Sequence, residues 1–157
     1  GTSFTDKSVK KNVKYTYTVR AYKDNVLSGY NKTGWSGAVL STPTVKIANA
    51  STGVKVSWSK NKAATGYTVY RSTYDEVNKT WTSWKNMGTA KATKSSWVDK
   101  SVQSGFTYRY TVRTVCGSCK SSYKATSGLL YLKEPKVTIS NSVNGITVKW
   151  TQAFFFF

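Results

Sequence analysis

Histidine is absent from this chain and acidic residues are few: 157 residues carry 24 Lys+Arg, 6 Asp+Glu and no His. Without His there is no imidazole base, no histidine metal ligand and no Ser-His-Asp triad. The six acids, Asp6, Asp24, Asp75, Glu76, Asp99 and Glu134, are scattered. Asp75 and Glu76 are the only neighbours among them, and on alternating backbone they point to opposite faces, so they do not flank one scissile bond. A turn role is expected for them. Pro (2), Cys (2) and Met (1) are scarce. Two cysteines make no zinc site without two further ligands. No run approaches 18 apolar residues, so no membrane-spanning helix is expected. These absences predict a chain without enzymatic activity, cofactor or metal.

What remains is hydroxyl-rich, aromatic and basic. There are 20 Ser, 22 Thr, 11 Tyr, 6 Trp and 6 Phe, and the formal charge is +18. Thr, Tyr, Val and Trp suit a pleated, half-buried surface, so the composition points to an all-β fold.

The chain repeats itself. Ser3-Phe-Thr-Asp-Lys-Ser-Val9 matches Ser96-Trp-Val-Asp-Lys-Ser-Val102 at an offset of 93, and Tyr15-Thr-Tyr-Thr-Val-Arg20 matches Tyr108-Arg-Tyr-Thr-Val-Arg113. Gly53-Val-Lys-Val-Ser-Trp58 matches Gly145-Ile-Thr-Val-Lys-Trp150 at an offset of 92, which Pro43 and Pro135 keep. A period of about 92 residues is a domain rather than a solenoid unit. The expected organisation is the C-terminal half of one unit at 1–42, a complete unit at 43–132 and the start of a further one at 133–157.

Strict alternation marks the strands. In Val54-Lys-Val-Ser-Trp58, Val54, Val56 and Trp58 share one face; in 108–113, Tyr108, Tyr110 and Val112 oppose Arg109, Thr111 and Arg113. Turn residues separate the runs, and no longer stretch shows helical period. Seven strands are predicted in the complete unit, at 43–48, 53–59, 66–73, 80–87, 95–98, 106–116 and 119–131. Seven strands in so short a unit imply a two-sheet antiparallel sandwich.

These residues resemble a fibronectin type III domain, an immunoglobulin-like β-sandwich. Trp58 and Trp150 match its second-strand tryptophan, and Ala64-Thr-Gly-Tyr-Thr-Val-Tyr-Arg71 resembles its third strand. Trp84-Lys-Asn-Met87 looks like the next strand, and Asp99 with Gly105-Phe-Thr-Tyr108 like the corner before the sixth. The resemblance implies a core containing Trp58, Tyr67, Trp84, Tyr108, Tyr15 and Trp150, with Met87 facing inward. Tyr108 and its equivalent Tyr15 would be tyrosine-corner residues, their hydroxyls bonded to nearby backbone. Asp6 and Asp99 share one repeat position, which predicts a corner hydrogen bond. The resemblance also extends to tandem domains of secreted or wall-attached proteins of Gram-positive bacteria. It implies a non-catalytic extracellular module.

Several features stand outside that pattern. Cys116-Gly-Ser-Cys119 flanks a two-residue hairpin turn and reads as a local disulfide, as free thiols or, least naturally, as a redox or metal pair. The lysines are spread over the chain, densest at Lys7, Lys10, Lys11 and Lys14. They read as a solvated face or as an attraction to anionic wall polymer; specific nucleic-acid binding is not expected. Trp81 and Trp84 differ by an odd number, so a regular strand aims them at opposite faces. With Trp84 inward, Trp81, Trp35 and Tyr74 become the candidate ligand-facing aromatics for a glycan. Asn31, Asn49 and Asn78 begin glycosylation sequons, which so Ser/Thr-rich a chain supplies by chance. Phe154–Phe157 interrupts the repeat and reads as an artefact of the sequence or as a segment that inserts into a neighbour.

The leading expectation is a structural spacer of an extracellular bacterial surface protein, giving reach and weak adhesion beside neighbouring repeats. The alternatives are a filament subunit assembled by strand completion between chains, and a cationic module for anionic polymer or glycan.

Overall fold

Fifteen strands and no helix form among residues 1–151, which the computed structural model describes; the Phe154–Phe157 run lies outside the described residues. The N-terminal segment holds β1 (Tyr15–Tyr17), β2 (Tyr22–Lys23), β3 (Val26–Leu27) and β4 (Trp35–Gly37). Residues 43–132 hold β5 (Val45–Ala50), β6 (Gly53–Trp58), β7 (Gly66–Asp75), β8 (Thr80–Trp81), β9 (Lys85–Lys91), β10 (Ser96–Asp99), β11 (Thr107–Cys116), β12 (Cys119–Lys120) and β13 (Leu129–Leu130). A hairpin of β14 (Val137–Ser142) and β15 (Gly145–Trp150) follows.

Within 43–132 one sheet has the order β10-β6-β5, and the other is built on β7 and β11, flanked by β9 and by β12 with β13. Every pairing is antiparallel. Alternation explains why the two sheets close on each other. Val54, Val56 and Trp58 from β6 meet Tyr67 and Val69 from β7 and Tyr108, Tyr110 and Val112 from β11 in one buried cluster. Trp58 packs against Tyr67 with ring centres 5.4 Å apart. The result is an all-β, immunoglobulin-like antiparallel sandwich, the arrangement that the type III resemblance implies.

Two of the seven predicted strands are broken. The fourth, predicted at 80–87, divides into β8 and β9 around Thr82-Ser-Trp84. Side-chain hydroxyls hold this gap in line: the Ser72 hydroxyl donates to the Thr82 carbonyl at 2.7 Å, and the Thr73 N–H donates to the Thr82 hydroxyl at 3.0 Å. Met87 sits in the bulge where Val69 pairs with Gly88 and Tyr70 with Asn86, so it is half-buried and Ala90 takes the place against the core.

The seventh strand keeps regular ladder pairing only at its ends, with single backbone bonds from the Ser121 and Thr126 N–H groups to the Thr114 and Tyr110 carbonyls between them. From Cys116 back to Tyr108 is eight positions, whereas from their partners Cys119 to Leu129 is ten. The two extra residues spoil the ladder, and hydroxyls repair it. The Thr114 N–H donates to the Ser121 hydroxyl and the Tyr110 N–H to the Thr126 hydroxyl, both at 3.0 Å.

The corner before β11 is built around a buried acid. Asp99 is 1% exposed and accepts from Arg71 at 2.8 Å, the Tyr110 hydroxyl at 2.9 Å, and the Ser101 hydroxyl and N–H at 2.6 and 2.9 Å. Burial works to raise its pKa; the Ser101 and Tyr110 bonds and the Arg71 charge outweigh burial and hold it below the usual carboxylate value. Burial first, then the Asp99 charge, pushes the Tyr110 phenol well above its ordinary value. The Tyr108 hydroxyl accepts from the Gln103 N–H at 2.9 Å, and the Tyr15 hydroxyl from the Lys10 N–H at 3.0 Å. Asp6 likewise accepts from the Ser8 N–H and hydroxyl and from the Tyr17 hydroxyl. The corner is thus drawn twice, once inside a closed sandwich and once in the open N-terminal segment.

Candidate functional site

The outward residues of β11 are Arg109, Thr111 and Arg113, opposite in phase to its core residues. Arg109 lies between two indoles, its guanidinium carbon 4.4 Å from the Trp81 ring centre and 5.0 Å from that of Trp84. Its Nε donates to the Ser72 hydroxyl at 3.3 Å. Trp84 meets Tyr123 edge-on at 6.0 Å, and the Arg113 guanidinium carbon lies 5.9 Å from the Tyr123 ring centre. Tyr74 packs edge-on against Trp81 at 5.2 Å. The break at 82–84 is what allows this. A regular strand would have turned Trp81 and Trp84 to opposite faces, and the interrupted one brings both to Arg109.

Trp84 therefore corrects an expectation. It is not a core residue; it covers the outer face of the β7–β11 sheet. Trp58, Tyr67 and Tyr108 lie in the core cluster. Tyr15 is half-buried in the N-terminal segment, and Trp150 is 68% exposed on β15, so neither is enclosed. Of the candidate ligand-facing aromatics, Trp81 and Tyr74 come together. Trp35 stands apart on β4 opposite Tyr17, 67% exposed. Arg109, Arg113, Tyr70 and Tyr123 were not singled out from the sequence. Their signal was available: arginines at alternate outward positions of one strand, with aromatics on its neighbours.

The arrangement is packed rather than open. Arg109 takes a face of each indole, Tyr74 abuts Trp81, and a Cβ at Gly128 would come 3.1 Å from the Trp81 ring. A shallow recess of about 130 Å³ remains between Tyr70, Trp84, Thr111, Arg113 and Tyr123.

A second built feature is the joint between 1–42 and 43–132. Asn12 has φ +63°, a left-handed conformation that Asn tolerates; Gly105, at the equivalent repeat position, has φ +88°. Unlike Gly, Asn brings an amide. Its Oδ1 accepts from Asn61 Nδ2 at 2.6 Å and from the Ser41 N–H at 2.8 Å. Nearby, a Cβ at Gly37 would lie 3.5 Å from the Cys119 sulfur, so the β11–β12 hairpin tip rests against β4. Cys116 and Cys119 pair across that hairpin as free thiols, the first buried and the second half-buried. Gly117 at φ +57° supplies the first position of the turn.

Other features take plain roles. Asp75 accepts from the N–H groups of Val77 and Asn78, closing the β7–β8 turn. Lys7, Lys10, Lys11 and Lys14 are exposed. Among the described residues there is no group of three or more His, Cys, Asp or Glu able to hold a metal, and no helix long and apolar enough to cross a membrane.

No protein-family model and no curated protein matches the chain. Among solved structures it is similar to an Fn3-like protein from Clostridium thermocellum, at 22% identity and TM-score 0.43 over 60% of this chain and 95% of that one. It is also similar to the twitchin kinase region of C. elegans, at 15% identity and TM-score 0.49, covering 68% of this chain and 20% of that one. A third is pectate lyase PelI from Erwinia chrysanthemi in complex with tetragalacturonic acid, at 20% identity and TM-score 0.44, covering 55% and 29%. The chain thus spans only a fraction of the last two.

Proposed function

We propose that the chain is a non-catalytic spacer from an extracellular bacterial surface protein, in which type III-like sandwiches in tandem provide mechanical reach and weak adhesion. The observation that carries this reading is the joint. Asn12, Ser41 and Asn61 are hydrogen-bonded across a four-residue connection, Leu40-Ser-Thr-Pro43, and the hairpin tip of one unit is seated on β4 of the other. A spacer needs units that resist bending, and these contacts oppose it. The packed Trp81–Arg109–Trp84 stack fits the same role, because it clamps the outer side of the two central strands. Backbone relaxation by NMR tests the reading. Residues 10–40 and 45–130 should tumble as one body, and Asn61→Ala should loosen them without lowering the melting temperature of 43–132. Independent tumbling in the parent chain would overturn the reading.

A second reading rests on charge. Among the described residues only Arg71–Asp99 and Lys79–Glu76 form ion pairs, so most basic side chains face solvent unpaired. Such a surface attracts anionic wall polymer without specificity. Retention on an anionic polymer that vanishes at moderate salt supports this reading, and retention that persists overturns it.

A further inference from the structure

The shallow recess beside the Trp81–Arg109–Trp84 stack has the make-up of a binding site rather than of a packing gap. All of its lining residues belong to 43–132, on the outer face of the β7–β11 sheet. Thr111 is the most deeply buried of them, 2% exposed, with its hydroxyl donated to the Lys124 carbonyl at 3.0 Å. Tyr70 stands beside Thr111 as its cross-strand partner, and Arg113 follows two positions along on the same face of β11. Trp84 and Tyr123 complete the lining. Three aromatic side chains therefore border a space of about 130 Å³ with one guanidinium among them.

The two arginines of β11 are placed differently. Arg109 is held between two indoles and donates through Nε to Ser72. Arg113 is half-buried and anchored by a single bond, from its Nε to the Ser121 carbonyl at 2.7 Å. That bond orients the guanidinium and leaves both Nη groups without an acceptor among the described residues. No lining residue is acidic, and the ion pairs among the described residues, Arg71–Asp99 and Lys79–Glu76, do not include Arg113. An oriented fork of donors with no acid beside it fits a planar carboxylate brought by a ligand.

The rest of the lining narrows the class of ligand. Aromatic faces suit the C–H face of a pyranose ring, which a bare phosphate chain lacks. The Tyr70 and Tyr123 hydroxyls make no hydrogen bond among the described residues, so both are free to meet sugar hydroxyls. The recess is shallow and lies on a sheet face, so a residue inside a long polymer can enter it without a free chain end.

We propose that this recess binds a uronate residue of an acidic polysaccharide. The carboxylate sits on the Nη groups of Arg113, the sugar ring lies against Trp84 and Tyr123, and its hydroxyls meet those of Tyr70 and Tyr123. The proposal does not rest on the spacer reading. It also goes beyond diffuse charge, which attracts any polyanion, whereas the recess requires a ring that carries a carboxylate.

Calorimetric titration and NMR on the full chain test the proposal, with tetraglucuronate as the probe. Cellotetraose supplies sugar rings without carboxylates, and polyphosphate supplies negative charge without rings. At moderate salt tetraglucuronate should bind and shift the amide signals of Tyr70, Thr111, Arg113 and Tyr123. Cellotetraose should bind at least tenfold more weakly, and polyphosphate should be released by the same salt. Arg113→Gln and Tyr123→Ala should each weaken tetraglucuronate binding at least tenfold. Arg113→Lys, which keeps the charge but not the fork, should restore little. Tyr123 is 49% exposed, so its truncation leaves the core of the sandwich in place. Failure of tetraglucuronate to bind overturns the proposal. Binding that disappears with salt alongside polyphosphate also overturns it and leaves diffuse charge alone. So does full-strength binding by the Arg113→Gln chain. Signal shifts confined to Lys7, Lys10, Lys11 and Lys14 overturn it on the unsubstituted chain, whatever the stability of the variants.

Discussion

Asp99 is the residue on which the corner depends. Its ordinary pKa of about 3.9 applies to the unfolded chain, and its folded value is lower. The stability it supplies is therefore complete above that unfolded value and is lost as pH falls through the folded one. Tyr110 has the opposite sense at the other end of the scale. Its phenol is raised in the fold, so its contribution is complete below the unfolded value of about 10 and is lost as pH rises beyond it. Melting temperature against pH should form a plateau between these limits. Asp99→Asn should flatten the acid limb and, by leaving Arg71 unpaired, cost about 3 kcal/mol at neutral pH. An acid limb unchanged in the variant would contradict the assignment. Arg109 makes a separate prediction. Arg109→Ala removes two cation–π contacts and should cost about 2 kcal/mol in chemical denaturation. Arg109→Lys should restore little, because a lysine head does not stack between two rings.

Among the elements, the unbroken strands were legible and the broken ones were not. Alternation in 54–58 and 108–113 states which side chains face inward, because a period of two leaves no choice once one face is apolar. The corner was legible too, since the repeat sets Tyr15 and Asp6 at the positions of Tyr108 and Asp99. Trp84 was not. The parity argument assumes one continuous strand over 80–87, and the gap held by Ser72, Thr73 and Thr82 removes that assumption. The Asn12 joint was equally hidden, because nothing local distinguishes an Asn that replaces a left-handed Gly from any loop Asn. The seventh strand carries the element's own prediction. Ser121→Ala leaves the buried Thr114 N–H without its acceptor, which costs about 1–3 kcal/mol. Hydrogen exchange at Thr114 should accelerate accordingly, while β6 amides keep their protection.

The whole molecule divides sharply by enclosure. Residues 43–132 own a closed core; 1–42 and 136–151 carry their apolar rows in the open. Pulled from both ends, the chain should show one major rupture, with a contour-length gain of roughly 300 Å for the complete sandwich. Two ruptures of equal size would contradict this division. The stretch of the seventh strand without regular ladder pairing has a consequence at this scale. A flat sheet edge offers a row of free amides and carbonyls on which another strand can zip. Here the margin of the β7–β11 sheet is irregular, and hydroxyls occupy amide donors that a regular partner would have to share. Side-by-side ribboning is blocked along that flank, so copies at high concentration should stay apart there rather than zip strand to strand.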